Sequence, residues 1–121
     1  MTTESDRELL ELAAKAAGVR FEKSRHGFVL QHFICKERRA GAIWNPLTDD
    51  GDALRLAVKL GIKIELHPSW VYARAVIPND PFSWREITEG WGITGEPLAA
   101  TRRAIVRAAA EIARATHKEQ T

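Results

Sequence analysis

Residues 44–66, WNPLTDDGDALRLAVKLGIKIEL, constrain the fold more than any other stretch, because a turn, a helix, a helix stop and a strand follow one another without a spare residue. The turn comes first, since proline disfavours the helical conformation in the residue before it. A helix cap at Asp49 leaves Asp52 in the first turn, beside unpaired backbone N–H groups. The polar residues predicted to serve this turn and this helix start are Asn45, Thr48, Asp49, Asp50 and Asp52.

The helix that follows, over residues 53–60, is apolar around most of its circumference, and only Arg55 and Lys59 are charged. We therefore expect neighbouring elements to cover one side deeply and to flank the others. Gly61 stands where helices often end in the left-handed conformation, which glycine adopts at little cost. Residues 62–66 then alternate between apolar and polar, which is the period of a half-buried strand.

The rest of the chain predicts two more helices and two hairpins. A capping box at residues 5–8 begins a first helix that Gly18 ends, and Pro97 begins a last helix that runs to about His117. Strands over residues 28–34 and 42–44 form one hairpin, and strands over 62–66 and 71–77 form the other. Residues 82–87 are a candidate further strand, residues 19–23 fit either a strand or an extended linker, and residues 88–96 are predicted to be irregular.

These elements define an α+β protein. We predict a mostly antiparallel sheet of three to five strands flanked by three helices, an α-β-α sandwich in the order α-β-β-α-β-β-α. The length of 121 residues fits a single domain over residues 1–121.

Composition excludes several classes of protein. A net charge of +2 is too mild for a dedicated nucleic-acid-binding protein, and no glycine-rich phosphate loop precedes a helix. The single cysteine, Cys35, excludes an internal disulfide. Residues 1–4 lack the features of a signal peptide, and no apolar run approaches the length of a membrane span. We therefore expect a cytoplasmic protein without membrane contact.

Two motifs resemble a known family. Residues 44–57, WNPLTDDGDALRLA, followed by Leu60-Gly61-Ile62, are similar to the centre of the phage ABA sandwich domain family. Residues 99–112, AATRRAIVRAAAEI, resemble the C-terminal helix of that family. Its members are small proteins of tailed phages and prophages, with helices on both faces of a sheet and no known function. The resemblance implies this fold and a phage or prophage origin; it supplies no catalytic residue, and residues 67–97 have no counterpart in it.

The aspartates before the central helix have a second interpretation. Asp49, Asp50 and Asp52 could bind Mg²⁺ in a nuclease or phosphohydrolase, but they lack the ligand spacing of a calcium loop, and capping explains all three. The four histidines never stand four residues apart, and one cysteine cannot build a cysteine-rich zinc site. We expect no metal and no cofactor.

Four tryptophans are the most informative functional feature, because all lie at predicted strand ends or in loops. Indole rings beside arginines could stack on a nucleotide base or anchor a protein partner, and they could equally fill the core. The residues predicted to bind are Trp70, Arg74, Trp84, Arg85 and Trp91.

The preferred hypothesis is a phage- or prophage-encoded accessory protein that has no catalytic activity and binds a host or phage protein. The first alternative is a module that sequesters a nucleotide or another small anion, and the Mg²⁺-dependent enzyme ranks below it. An alanine-rich helix or an unpaired edge strand would also permit a homodimer.

Overall fold

The computed structural model describes residues 5–32, 34–36, 38–92 and 95–119, with side chains described up to residue 116. Within these residues, three helices and two three-stranded antiparallel sheets follow one another in the order α-β-β-β-α-β-β-β-α. The predicted α+β class is confirmed. The layout differs in two respects, because the described residues form six strands instead of three to five, and these strands form two separate sheets instead of one.

Helix α1 (Asp6–Ala17) begins with the predicted capping box. Ser5 Oγ accepts a hydrogen bond from the Glu8 backbone N–H at 3.2 Å, and the Ser5 backbone N–H donates to Glu8 Oε2 at 3.3 Å. Gly18 ends the helix in the left-handed conformation with φ of 70°. Local sequence alone accounts for both ends.

Helix α2 (Asp50–Leu60) is the central helix, and it also begins and ends as predicted. The Asp49 carboxylate accepts a hydrogen bond from the Asp52 backbone N–H at 2.8 Å, so Asp49 is the cap. Gly61 ends the helix with φ of 65°. Its exposed face departs from expectation, because Leu54 and Val58 are left largely exposed to solvent.

The first sheet contains β1 (Phe21–Ser24), β2 (Gly27–Leu30) and β3 (Ile43–Trp44), paired in that order. For residues 19–23 the sequence allowed a strand or an extended linker. The structure shows that residues 21–23 belong to a strand. The predicted strand over residues 28–34 ends at Leu30. A tight turn then begins, in which the Ile34 backbone N–H donates to the Arg38 carbonyl at 2.8 Å. Position 33 lies outside the described residues.

The second sheet contains β4 (Lys63–Leu66), β5 (Trp70–Ile77) and β6 (Asp80–Gly90), with β5 in the middle. Asn79, with φ of 70°, lies in the turn between β5 and β6, and the register shifts between Val76 and Ile77. Strand β6 extends past the predicted residues 82–87. Residues 88–90, predicted to be irregular, pair with the start of β5 because the long β5 supplies backbone partners for them.

Helix α3 (Pro97–Glu119) packs against both other helices and against one face of the second sheet. Small side chains let its backbone approach closely, since five of its eight buried residues are alanine. These buried residues are Ala104, Ile105, Val106, Ala108, Ala109, Ala110, Ile112 and Ala113. Helix α3 therefore packs at the middle of one core, to which α1, α2, the first sheet and the inner face of the second sheet also contribute. None of the described helices covers the other face of the second sheet.

Candidate functional site

The uncovered face of the second sheet follows from the alternation of side chains along β5. Val71, Ala73, Ala75 and Ile77 point towards α3 and are buried. The residues between them point the other way and pair across the sheet with residues of β4 and β6. We call the resulting surface the outer sheet face; its residues are Lys63, Glu65, Trp70, Tyr72, Arg74, Val76, Trp84, Glu86 and Thr88.

Two large indoles dominate the outer sheet face. Trp70 is 39% exposed and Trp84 is 46% exposed, and the apolar Val76 lies directly opposite Trp84 across the strands. The His67 ring stacks on Trp70, with ring centroids 3.7 Å apart and planes inclined by 6°. Stacking fixes the orientation of one indole while leaving part of its surface open to a partner.

Arg74 lies beside the second indole, with its Cζ 5.8 Å from the centre of the Trp84 ring. This distance allows an attraction between the guanidinium and the ring face. Arg74 Nε is shielded from water and has no hydrogen-bond partner among the described residues. A buried donor without a partner costs about 1–3 kcal/mol, so the position of Arg74 is unfavourable for the folded chain by itself.

Glu86, which pairs with Arg74 across the strands, bonds instead to the neighbouring tyrosine. Tyr72 Oη donates a hydrogen bond to Glu86 Oε2 at 2.5 Å. This bond to a carboxylate raises the pKa of the Tyr72 phenol above its ordinary value. The outer sheet face therefore combines aromatic surface with two charged groups. The Glu86 carboxylate is bonded to Tyr72, whereas Arg74 Nε has no hydrogen-bond partner among the described residues.

The structure does not bring all five predicted binding residues together. Trp70, Arg74 and Trp84 share the outer sheet face, whereas Arg85 alternates to the opposite side of β6 and donates to Ser83 Oγ at 3.2 Å. Trp91 is half-buried and packs against the core.

Trp44, which the sequence analysis left unassigned, is buried in the core. Tyr72, Val76 and Glu86 were not among the predicted binding residues. The strict alternation along residues 70–77 nevertheless indicated that Tyr72 and Val76 share a face with Trp70.

The three aspartates at the start of α2 each form an ion pair with an arginine. Arg38 Nη2 lies 2.9 Å from Asp49 Oδ2, and Arg102 Nη1 lies 2.6 Å from Asp50 Oδ1. The Arg38 guanidinium and the backbone N–H of Asp52 lower the pKa of the Asp49 carboxyl. Asp49 and Asp52 in turn raise the pKa of Arg38. Guanidinium groups at these positions oppose the binding of a cation.

Asp52 has a larger role than the sequence predicted, because its side chain is only 1% exposed. It accepts hydrogen bonds from Arg38 Nε at 2.6 Å, Arg55 Nη2 at 2.9 Å and the Asn45 backbone N–H at 2.9 Å. Three donors satisfy a charge that would otherwise be costly to bury. Asp52 thus ties helix α2 to the preceding loop and to the turn that holds Arg38.

Asn45 and Thr48 are the remaining residues of the predicted capping set. Asn45 forms the expected turn, and Thr48 has an exposed side chain. Asn45 Oδ1 accepts a hydrogen bond from the Leu47 backbone N–H at 3.0 Å, as expected of a turn-forming asparagine. Thr48 is exposed, and its hydroxyl lies 3.5 Å from the Asn45 carbonyl, so it does not cap the helix.

Among the described residues, no group of three or more His, Cys, Asp or Glu side chains is arranged to hold a metal ion.

Comparisons of the chain with protein-family models, curated proteins and solved structures found no match. The resemblance to the phage ABA sandwich domain family therefore stays a prediction. Over the part of the chain that the structure describes, no helix combines the length and the apolar character needed to cross a membrane.

Proposed function

We propose that this protein is a small accessory protein, encoded by a phage or prophage, that acts without catalysis by binding a protein partner through the outer sheet face. The observation that carries the proposal is the exposure of Trp70 and Trp84 on a face that the described helices leave open. Tryptophan, tyrosine and arginine are the residues most enriched at the energetic centres of protein interfaces.

The chemistry of the face also suggests the character of its partner. Two indoles and Val76 offer apolar area, and a partner that covers them gains about 25 cal/mol for each Å² of apolar surface removed from water. The Arg74 guanidinium favours a carboxylate opposite Trp84, because the described acidic residue beside it, Glu86, is bonded to Tyr72. The proposed partner thus presents an apolar patch with an Asp or Glu at its centre.

Affinity capture from host lysate tests this proposal when three forms of the protein are compared. The double variant Trp70→Ala/Trp84→Ala removes both indoles from the outer sheet face. Leu98→Ala is the control, because Leu98 is an exposed apolar side chain on α3, away from the outer sheet face. We expect the wild type and the control to enrich the same protein, and the double variant to lose it while its circular dichroism is unchanged. Equal recovery by all three forms would contradict the proposal.

A nucleotide or another small anion is the second candidate ligand of the same face. The Arg74 guanidinium beside the Trp84 ring favours it, since a guanidinium and an indole together can hold a phosphate and a base. A thermal-shift screen against mono-, di- and cyclic nucleotides separates the two candidates. A rise in melting temperature that Arg74→Gln abolishes supports the anion binder, whereas no response across the panel removes it.

A further inference from the structure

A cleft on another part of the molecule has no role in the proposed function. It lies between the end of α1, the segment after β2, and α2, and its volume is about 580 Å³. This volume falls within the range of roughly 300–1,000 Å³ that is typical of small-molecule sites. The residues that line it are Ala17, Gly18, Val19, His32, Ile34, Cys35, Trp44, Leu54, Arg55, Leu56, Val58 and Lys59. None of them belongs to the outer sheet face.

The cleft has an apolar floor and an apolar rim. Trp44 and Leu56 are buried at 4% and 3% exposure, whereas Leu54 and Val58 are 62% and 74% exposed. The last two stand four residues apart and therefore share one side of α2. Apolar side chains left open beside a concave surface favour a ligand with an apolar body, because its burial removes both surfaces from water.

The described charged residues that line the cleft all carry positive charge. Its charged lining residues are Arg55 and Lys59, and the described lining contains no Asp or Glu. Arg55 is bound to Asp52 at 2.9 Å, but Lys59 is exposed and has no ion-pair partner in the described part of the chain. His32 also lines the cleft, and its Nδ1 is shielded from water without a hydrogen-bond partner. An oxygen-bearing anion would pair with the Lys59 ammonium group.

We propose that this cleft binds an amphiphilic carboxylate, a molecule with a fatty-acid-like chain and one anionic head. The chain lies over Trp44 and Leu56 and between the exposed side chains of α2, and the carboxylate lies near Lys59. An acyl chain matches the apolar floor and rim, and one negative charge matches the unpaired cation. A peptide or a second copy of the chain would cover Leu54 and Val58 without needing the carboxylate.

The test uses the indole N–H resonances of the full-length protein, because its four tryptophans report on different places. Decanoate is titrated below its micelle concentration, with decanol and decyltrimethylammonium as probes of equal chain length and different charge. We expect decanoate to shift the Trp44 resonance and to leave those of Trp70 and Trp84 in place. We expect decanol to bind about five- to tenfold more weakly, and the cationic probe to produce no shift.

Two lysine variants test whether decanoate binding depends on the positive charge in the cleft. Lys59→Gln removes the unpaired cation, and Lys63→Gln is the matched control, since Lys63 is an exposed lysine four residues further on that belongs to the outer sheet face. We expect the dissociation constant for decanoate to rise about five- to tenfold with Lys59→Gln and to stay unchanged with Lys63→Gln.

Three outcomes would overturn the proposal. The first is an unmoved Trp44 resonance, and the second is equal binding of the three probes. The third is a concentration-dependent change at the Leu54 and Val58 methyl groups without ligand, which would assign the cleft to a second copy of the chain.

Discussion

Asp52 shows why a single buried charge can organise a loop. Its carboxylate receives hydrogen bonds from Arg38, Arg55 and the Asn45 backbone, so three segments meet at one side chain. The sequence identified Asp52 as a residue of the first helical turn, which is correct. The sequence could not show that Arg38, fourteen positions earlier, binds Asp52, because no local rule connects a turn residue with a helix that the chain reaches later.

The first prediction compares two aspartates of the same helix start. We expect Asp52→Asn to lower the free energy of unfolding by about 3 kcal/mol, because it removes the buried negative charge to which Arg38 and Arg55 both donate. Asp50→Asn is the matched change at a side chain that is mostly exposed, and we expect it to cost at most about 1 kcal/mol. Urea denaturation measures both. Equal effects would contradict the role assigned to Asp52.

The second prediction concerns pH and Asp49. Arg38 holds the pKa of the folded carboxyl below its ordinary value, so this contribution to stability is complete above the unfolded pKa of about 3.9 and is lost as pH falls through the folded pKa. Asp49→Asn keeps a good helix cap but removes the charge. We therefore expect wild type to be the more stable form at neutral pH and the difference to shrink between about pH 5 and pH 2. A difference that stays constant with pH would contradict the ion pair.

The third prediction uses the single tyrosine of the chain, whose ionisation can be followed by ultraviolet absorbance without interference from another phenol. The Glu86 carboxylate accepts the Tyr72 hydroxyl proton in a hydrogen bond and raises the pKa of the phenol. We expect Glu86→Gln to move the tyrosine titration to lower pH, and Glu65→Gln, on the neighbouring strand, to move it less. Identical titrations of wild type and Glu86→Gln would show that the bond is absent in solution.

At the scale of elements, α1 and α2 were predictable because each carries its own start and stop signals. Gly61 is the clearest stop, since its φ of 65° is unfavourable for a residue with a Cβ atom. We expect Gly61→Ala to destabilise the protein by about 1 kcal/mol, and Gly61→Asn to cost less, because asparagine tolerates the left-handed conformation. Thermal unfolding of the two variants measures the difference. Equal stability of both variants and wild type would contradict this end of the helix.

Strands were predicted less well than helices, because their limits depend on partners elsewhere in the chain. The strand over residues 28–34 stops at Leu30, where the short β3 no longer offers a partner. Strand β6 runs three residues further than predicted, since β5 pairs with it as far as Gly90. Alternation identified which segments are strands, but it could not show that they divide into two sheets, because pairing is decided by contacts across the whole fold.

At the scale of the molecule, α3 determines which surfaces stay open. Its alanine-rich side covers the inner face of the second sheet, and the face with Trp70 and Trp84 is left to the solvent. The sequence predicted three of the outer-face residues as a binding set. Alternation places Trp84 and Arg85 on opposite faces of a strand, but only the packing of α3 decides which of the two faces is buried.

The most direct measurement is photo-cross-linking from the outer sheet face. A benzophenone-bearing amino acid replaces Val76, which lies opposite Trp84 and two residues after Arg74, and in a control protein it replaces Leu98 on α3. Both proteins are irradiated in cells that naturally contain the chain. The account predicts one discrete cross-linked protein from position 76 that is missing from position 98. No product from position 76, or the same product from both positions, would contradict it.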